Sequence, residues 1–169
     1  MLNLSLAAVD RGEVRVQEQV PPDHPMFENT GVELSGPLEV DLTARSVGEG
    51  VLVRGTLRGT VHLACRRCLT PVEREVDDEV NFLYAPVAED EEAELAGEVY
   101  PLPARASEID LTDAVREQVL LDVPEFVECR EDCRGICPGC GAYLNEGACG
   151  CAPQEAQGPW DALKKLKFD

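Results

Sequence analysis

Val51-Leu52-Val53-Arg54-Gly55-Thr56-Leu57-Arg58-Gly59-Thr60-Val61-His62-Leu63-Ala64-Cys65 is the stretch that decides the fold. Its odd positions are apolar or small, whereas its even positions carry Arg54, Thr56, Arg58, Thr60 and His62. Side chains of an extended strand alternate between faces, so this period of two predicts a strand with one buried face and one wet face. Beyond Cys68 the pattern repeats in the other phase. Val72, Val76, Val80, Phe82 and Tyr84 alternate with Glu73, Glu75, Asp77 and Glu79, which makes a second half-solvated strand. Upstream, Leu38, Val40 and Leu42 alternate with Glu39, Asp41 and Thr43, and Gly48-Glu49-Gly50 supplies a turn. Three such strands in succession predict an antiparallel meander.

Further out the signals are shorter. Leu2 and Leu4, with Val14 and Val16, predict another strand pair turning around Asp10-Arg11-Gly12. Pro21-Pro22-Asp23-His24-Pro25 predicts a loop with an exposed His24. The run Glu89-Asp90-Glu91-Glu92 with Glu94 is too acidic to bury and reads as a solvated loop. Asp110 is placed to cap a helix whose Leu111, Ala114, Val115 and Val119 share a face, with Asp113 in the first turn and Pro124 as its stop. That helix is expected to cover one face of the sheet.

The chain of 169 residues can hold one domain with a real core, plus appendages. Neither a basic-then-apolar leader nor a run of about 18 apolar residues is visible, which leads to the expectation of a cytoplasmic protein with no membrane contact. In a reducing compartment, eight cysteines point to metal thiolates rather than disulfides. The cysteines form four close pairs: Cys65 with Cys68, Cys129 with Cys133, Cys137 with Cys140, and Cys149 with Cys151. Zinc takes four thiolates in a closed tetrahedral site, and a two-residue spacer lets one turn offer both sulfurs to one ion. Eight ligands therefore predict two zinc ions with four cysteines each.

Two partitions of the pairs are open. In the first, Cys137, Cys140, Cys149 and Cys151 form a self-contained knuckle, and Cys65 and Cys68 join Cys129 and Cys133 across the domain. In the second, Cys65 and Cys68 pair with Cys137 and Cys140, as in zinc ribbons. The first is the expectation. Redox catalysis by Cys137-Pro138-Gly139-Cys140 would need a helix start to lower the thiol pKa, and the glycine-rich segment that follows is not helical in pattern. The spacing of Cys133, Cys137 and Cys140 resembles a radical iron–sulfur loop, but too little chain follows to build the barrel that such a cluster serves.

Cys65-Arg66-Arg67-Cys68-Leu69 at a hairpin, Ile109-Asp110-Leu111 opening a helix, Cys129 to Cys133, Arg134-Gly135-Ile136-Cys137-Pro138-Gly139-Cys140-Gly141, Leu144-Asn145-Glu146-Gly147 and Cys149-Gly150-Cys151 together resemble the bacterial YceD family. The likeness runs from about Leu38 into Trp160-Asp161-Ala162-Leu163-Lys164-Lys165-Leu166-Lys167. It implies a part in the synthesis, processing or stability of large-subunit (23S) ribosomal RNA. Some members keep the first cysteine pair without the downstream knuckle, which implies separate sites. No catalytic residue carries over from the family.

The net charge of −18 opposes generic nucleic-acid binding and favours basic partners. Arg54, Arg58, His62, Arg66 and Arg67 form a basic stripe that can meet phosphate, but cross-strand pairing with Glu73, Glu75, Asp77 and Glu79 is the expectation. Trp160, Leu163 and Leu166 recur at helical spacing, with Lys164, Lys165 and Lys167 opposite. This is either a docked short helix or a partner-binding motif.

The expected molecule is an α+β protein, mainly an antiparallel curved sheet or partial barrel with a covering helix and a cysteine-rich zinc-binding C-terminal region. Its parts are a β-rich core with one helix over 1–128, a cysteine-rich region over 129–151 and a tail with a short helix over 152–169. Its expected role is non-catalytic ribosome biogenesis, with a large-subunit ribosomal protein or pre-ribosomal particle as partner and ribosomal RNA as a further contact. The alternative is an RNA-processing or RNA-modifying enzyme with an unrecognised site. No small-molecule substrate is indicated.

Overall fold

The structure is a computed structural model that describes residues 2–86, 99–103 and 105–151. Its elements are β1 (Asn3–Ser5), α1 (Leu6–Val9), β2 (Val14–Val20), β3 (Glu33–Leu34), β4 (Leu38–Val47), β5 (Gly50–Ala64), β6 (Pro71–Ala85), β7 (Tyr100–Pro101), β8 (Glu108–Asp110) and α2 (Thr112–Asp122), with a 3-10 turn at Pro25–Phe27. The larger sheet has the order β2-β4-β5-β6-β7, and β3 adds to β5. All its pairs are antiparallel except β6 with β7.

The meander is β4-β5-β6. Val40 faces Leu57 on β5, and Val53 faces Phe82 on β6, so the apolar phases meet on one side. Leu38, Val40, Leu42, Val53, Leu57, Val61, Val76, Val80 and Phe82 are buried there. Each fully buried Leu or Val contributes ~1.5–3 kcal/mol. On the other side Glu39, Arg58 and Asp77 stand exposed in a row.

Both sheets are open, which corrects the partial-barrel expectation. Along the path, β2 ends one side and β7 the other, with no pairing between them. The predicted pairing of the Leu2–Leu4 region with Val14–Val16 is also overturned. β1 pairs with β8 in a separate two-stranded sheet, Leu4 opposite Ile109, while β2 pairs with β4. The intervening Asp10-Arg11-Gly12 does not close a hairpin because it follows a helical turn, in which Asp10 N–H donates to Leu6 O and Gly12 N–H to Val9 O. Leu2, Leu4 and Val9 are all buried by this route.

His24 is half-buried rather than exposed, and its Nδ1 accepts a hydrogen bond from Met26 N–H at 3.2 Å. It thereby caps the turn that buries Met26 and Phe27. Asp110 does supply a cap: its Oδ1 accepts from Thr112 N–H at 2.9 Å. Leu111, Ala114, Val115 and Val119 are buried as the helical spacing requires. Arg116 donates to Met26 O at 2.8 Å, and Gln118 donates to Asp78 at 2.6 Å, so α2 is fastened between the 3-10 turn and β6.

The acidic run at residues 89–94 and the tail over 152–169 lie outside the described residues. No helix among the described residues is long and apolar enough to cross a membrane.

Burial, and then the nearby charge of Asp78, raise the pKa of Asp122 at the end of α2. A carboxyl with a raised folded-state pKa stabilises the fold fully at pH values below its unfolded pKa. That contribution is lost as pH rises through the folded pKa. Asp122→Asn should therefore raise the melting temperature at neutral pH, helped by removal of a negative charge from a helix C-terminus. The advantage should vanish as pH falls through the carboxylate range, and a gain independent of pH would reject this account.

Candidate metal centres

The β5–β6 hairpin ends in Cys65-Arg66-Arg67-Cys68, a tight knuckle closed by two backbone hydrogen bonds. Leu69 N–H donates to Cys65 O at 2.8 Å, and Cys65 N–H donates to Thr70 O at 2.9 Å. Leu69 takes φ +61°, a left-handed conformation that costs a branched residue ~1 kcal/mol, and its side chain is exposed. The knuckle is clipped to the chain that follows α2. Arg66 N–H donates to Val127 O at 2.9 Å, and Ile136 N–H donates to Arg67 O at 3.1 Å. Gly135 makes the second clip possible, since it adopts φ +76° and a Cβ there would stand 2.8 Å from Arg67 O.

These clips bring four sulfurs together from residues far apart in sequence. Cys65, Cys68, Cys129 and Cys133 have their Sγ atoms within 4.8 Å of one another. The Cys65–Cys133 separation is 3.8 Å and the Cys68–Cys129 separation is 3.6 Å. Zinc–sulfur bonds of about 2.3 Å in a tetrahedron set sulfur–sulfur edges of about 3.8 Å, so the donor set fits a thiolate-bound zinc ion. Cys65 and Cys68 are fully buried with Val72, Val127 and Cys133 in a small core of their own.

Cys137, Cys140, Cys149 and Cys151 form the second group, again with all sulfurs within 4.8 Å. Cys137 N–H donates to Ala142 O, Gly141 N–H donates to Cys137 O, and Ile136 bridges Tyr143, which makes a compact turn around Pro138-Gly139. Here Cys137 is buried, Cys149 is half-buried, and Cys140 and Cys151 are exposed. The structure thus gathers the pairs as in the first of the two partitions. The two groups are compatible with two zinc sites.

The thiol pKa values have the pattern expected of close-packed sulfurs. Burial pushes Cys65 up, but the N–H groups of Cys129, Cys68 and Arg67 outweigh it and bring the thiol down to about 6. Burial and the neighbouring thiols push Cys129 up to about 12. In the second group the N–H of Cys140, with further help from Cys149 and Gly139, lowers Cys137 to about 6, while the surrounding thiols push Cys151 up to about 12. Each group releases its first proton easily and its last with difficulty, and a bound divalent cation removes that repulsion.

Three residues beside the sulfurs were not legible in the sequence as ligand supports. Asn145 Nδ2 lies 3.4 Å from Cys133 Sγ while its Oδ1 accepts from Arg134 N–H at 2.7 Å, so the second knuckle props a sulfur of the first group. Thr70 Oγ1 is 3.1 Å from Cys68 Sγ. Glu128 holds both knuckle arginines, Arg66 at 2.5 Å and Arg67 at 3.1 Å. Glu128 therefore replaces the strand acids expected to pair with Arg66 and Arg67. The adjacency of Glu128 to Cys129 was the available signal.

Of the stripe's remaining members, Arg58 does pair across the hairpin with Asp77 at 2.9 Å, and His62 Nε2 lies 3.7 Å from Glu73. Arg54 stands opposite Asn81, with no ion pair among the described residues. Trp160, Lys164, Lys165 and Lys167 lie outside the described residues.

Comparison with known proteins gives a consistent family match. The family sequence model described as large ribosomal RNA subunit accumulation protein YceD matches residues 53–167, a span that includes both cysteine groups. An uncharacterized protein of Mycobacterium tuberculosis is 36% identical over 122 residues, covering 70% of this chain and 56% of the relative. One from Mycobacterium leprae is 34% identical over 119 residues, or 67% of this chain and 52% of that one. A Zea mays protein named as a chloroplastic YCED homolog of the same accumulation protein is 23% identical over 160 residues, 78% of this chain and 54% of the relative. The chain spans about half the length of these relatives. No solved structure matches it.

Proposed function

Because the chain belongs to the YceD family of large ribosomal RNA subunit accumulation proteins, we propose that it is a non-catalytic assembly factor that supports large-subunit ribosomal RNA by holding a basic large-subunit protein or a precursor particle. The family match over residues 53–167 is the observation that carries this reading. Charge gives the direction of binding: at −18, the chain repels bare phosphate and attracts cations over a distance set by ionic strength. The two cysteine groups each take one zinc ion in this reading. Zinc cross-links the hairpin tip to the segment after α2 and supplies no reaction step.

Association should be measured against purified large-subunit ribosomal proteins, assembly intermediates and naked ribosomal RNA at two salt concentrations. Binding to a basic protein or a particle should be tighter than to naked RNA and should weaken with salt, chiefly through a slower on-rate. Neutral replacements at Glu89, Asp90, Glu91 and Glu92 should slow association without unfolding the protein. Turnover of precursor RNA by the purified protein would replace this reading with the enzymatic one. Tight binding to naked RNA that disappears when Arg54, Arg58, Arg66 and Arg67 are replaced would mean that local basic contacts, not overall charge, choose the partner.

A further inference from the structure

β6 is paired to β5 over residues 71–84, but its other side meets β7 only at Tyr84 and Ala85. Among the described residues no strand pairs with residues 71–83 on that side, so the backbone groups of β6 that do not pair with β5 have no strand partner there. Such an edge is a template for another extended chain, and the side chains beside it determine which chains it accepts.

Those side chains are acidic at every second position. Glu73, Glu75, Asp77 and Glu79 are exposed on the wet face, about 6.8 Å apart along the strand. Their neighbours on β5 neutralise them unevenly. Asp77 holds Arg58 and Glu73 lies near His62, whereas Glu75 and Glu79 stand opposite Thr60 and Thr56 with no ion pair from a described residue. On the other side of the strand, α2 is tied to β6 through Gln118 and Asp78. Leu121 lies one turn further on the same side of that helix, yet is 74% exposed. An incoming strand would therefore meet carboxylates on one face and, on the other, the side of the sheet that carries α2.

We propose that the open edge of β6 binds an extended partner segment in which basic residues alternate with apolar ones, added as a further strand of the sheet. The inference rests on the proposed affinity for a basic large-subunit protein, and it specifies where and in what conformation such a protein is held. Lysines or arginines at alternate positions would stand beside Glu75 and Glu79 at cross-strand distance, where opposite charges stabilise a pair. A second copy of this chain is the wrong occupant, because two such edges would place like charges opposite each other.

The probe is a synthetic ten-residue peptide of alternating lysine and valine. Its control is the same peptide methylated on alternate backbone nitrogens, which keeps the charge but removes one edge's N–H donors. Binding should be followed by calorimetry and by amide hydrogen exchange of the protein. The unmethylated peptide should bind and protect amides within residues 71–83. Methylation should weaken it about tenfold or more, from the loss of several hydrogen bonds of ~1 kcal/mol each. Glu75→Gln and Glu79→Gln should each cost about threefold at low salt. Equal affinity of the two peptides would overturn the proposal, as would protection at β2 instead of β6, or protection of β6 through self-association without peptide. A ribosomal-protein arm keeps the two readings separate. If a basic large-subunit protein binds but is indifferent to Glu75→Gln with Glu79→Gln, the edge proposal fails and the assembly role stands. If the peptide adds to β6 while no ribosomal protein or particle binds, the edge is upheld and the assembly role fails.

Discussion

Cys65→Ser should remove one of two zinc equivalents and destabilise the whole β-rich core, whereas Cys149→Ser should remove the other and leave that core folded. The asymmetry follows from position. Cys65 is fully buried at the tip of the central hairpin, and two of its three partners, Cys129 and Cys133, come from a segment more than sixty residues later. Structural zinc in small modules supplies ~10–16 kcal/mol, while a domain has ~5–15 kcal/mol in all, so loss of this closure is comparable with total stability. Cys149 is only half-buried and belongs to a group confined to residues 137–151. Metal analysis with circular dichroism melts measures both effects. A small secondary loss at the first site is expected in Cys149→Ser, because Asn145 beside Cys133 Sγ sits within the second knuckle. Equal global unfolding in both variants, or loss of both ions from either, would mean that the two groups form one interlocked unit.

Gly55→Val should cost about 3 kcal/mol or more while leaving zinc content intact. β5 and β4 approach so closely at this position that a Cβ would lie 2.0 Å from Asp41 O and 2.8 Å from Leu42 Cα. Both obstacles are backbone, so relief requires the strands to part where Leu42 and Leu57 are fully buried. Gly59→Ala is the control, since its nearest obstacle is the tip of the Leu38 side chain at 3.1 Å, which can rotate aside. Urea denaturation of the two variants gives the comparison. Similar midpoints would show that β5 has slack at Gly55.

How much of this was legible depended on range. The alternation in β5 and β6 and the face of α2 are local, and each is written in ten or more residues, so periodicity revealed them. Of the two open partitions of the cysteines, the structure groups the sulfurs as in the first, which the sequence favours because the segment between Cys137 and Cys151 is too short and glycine-rich to hold a core. β1 was not legible. A three-residue strand has no period to read, and its partner β8 lies over a hundred residues away. The openness of the sheets was hidden for a related reason: alternation specifies which face is buried, while closure depends on whether the last strand reaches the first. Glu128 was missed because strand register suggests charge partners only within the hairpin itself. The chain after α2 instead returns to the hairpin tip and places a carboxylate between Arg66 and Arg67.

The long return from Cys68 to Cys129 also sets the order of events during synthesis. When Cys65 and Cys68 have left the ribosome, Cys129 still lies about sixty residues behind Cys68 in the chain. β1 must likewise wait for β8. Pairings of such separation fold in milliseconds to seconds, slowly beside local helical folds, and chains grow at about 5–20 residues per second. For several seconds the nascent chain therefore displays a Cys65–Cys68 thiol pair with no clamp, open to oxidation or to the wrong metal. The first cluster can close only after Cys129 and Cys133 have followed the hairpin out.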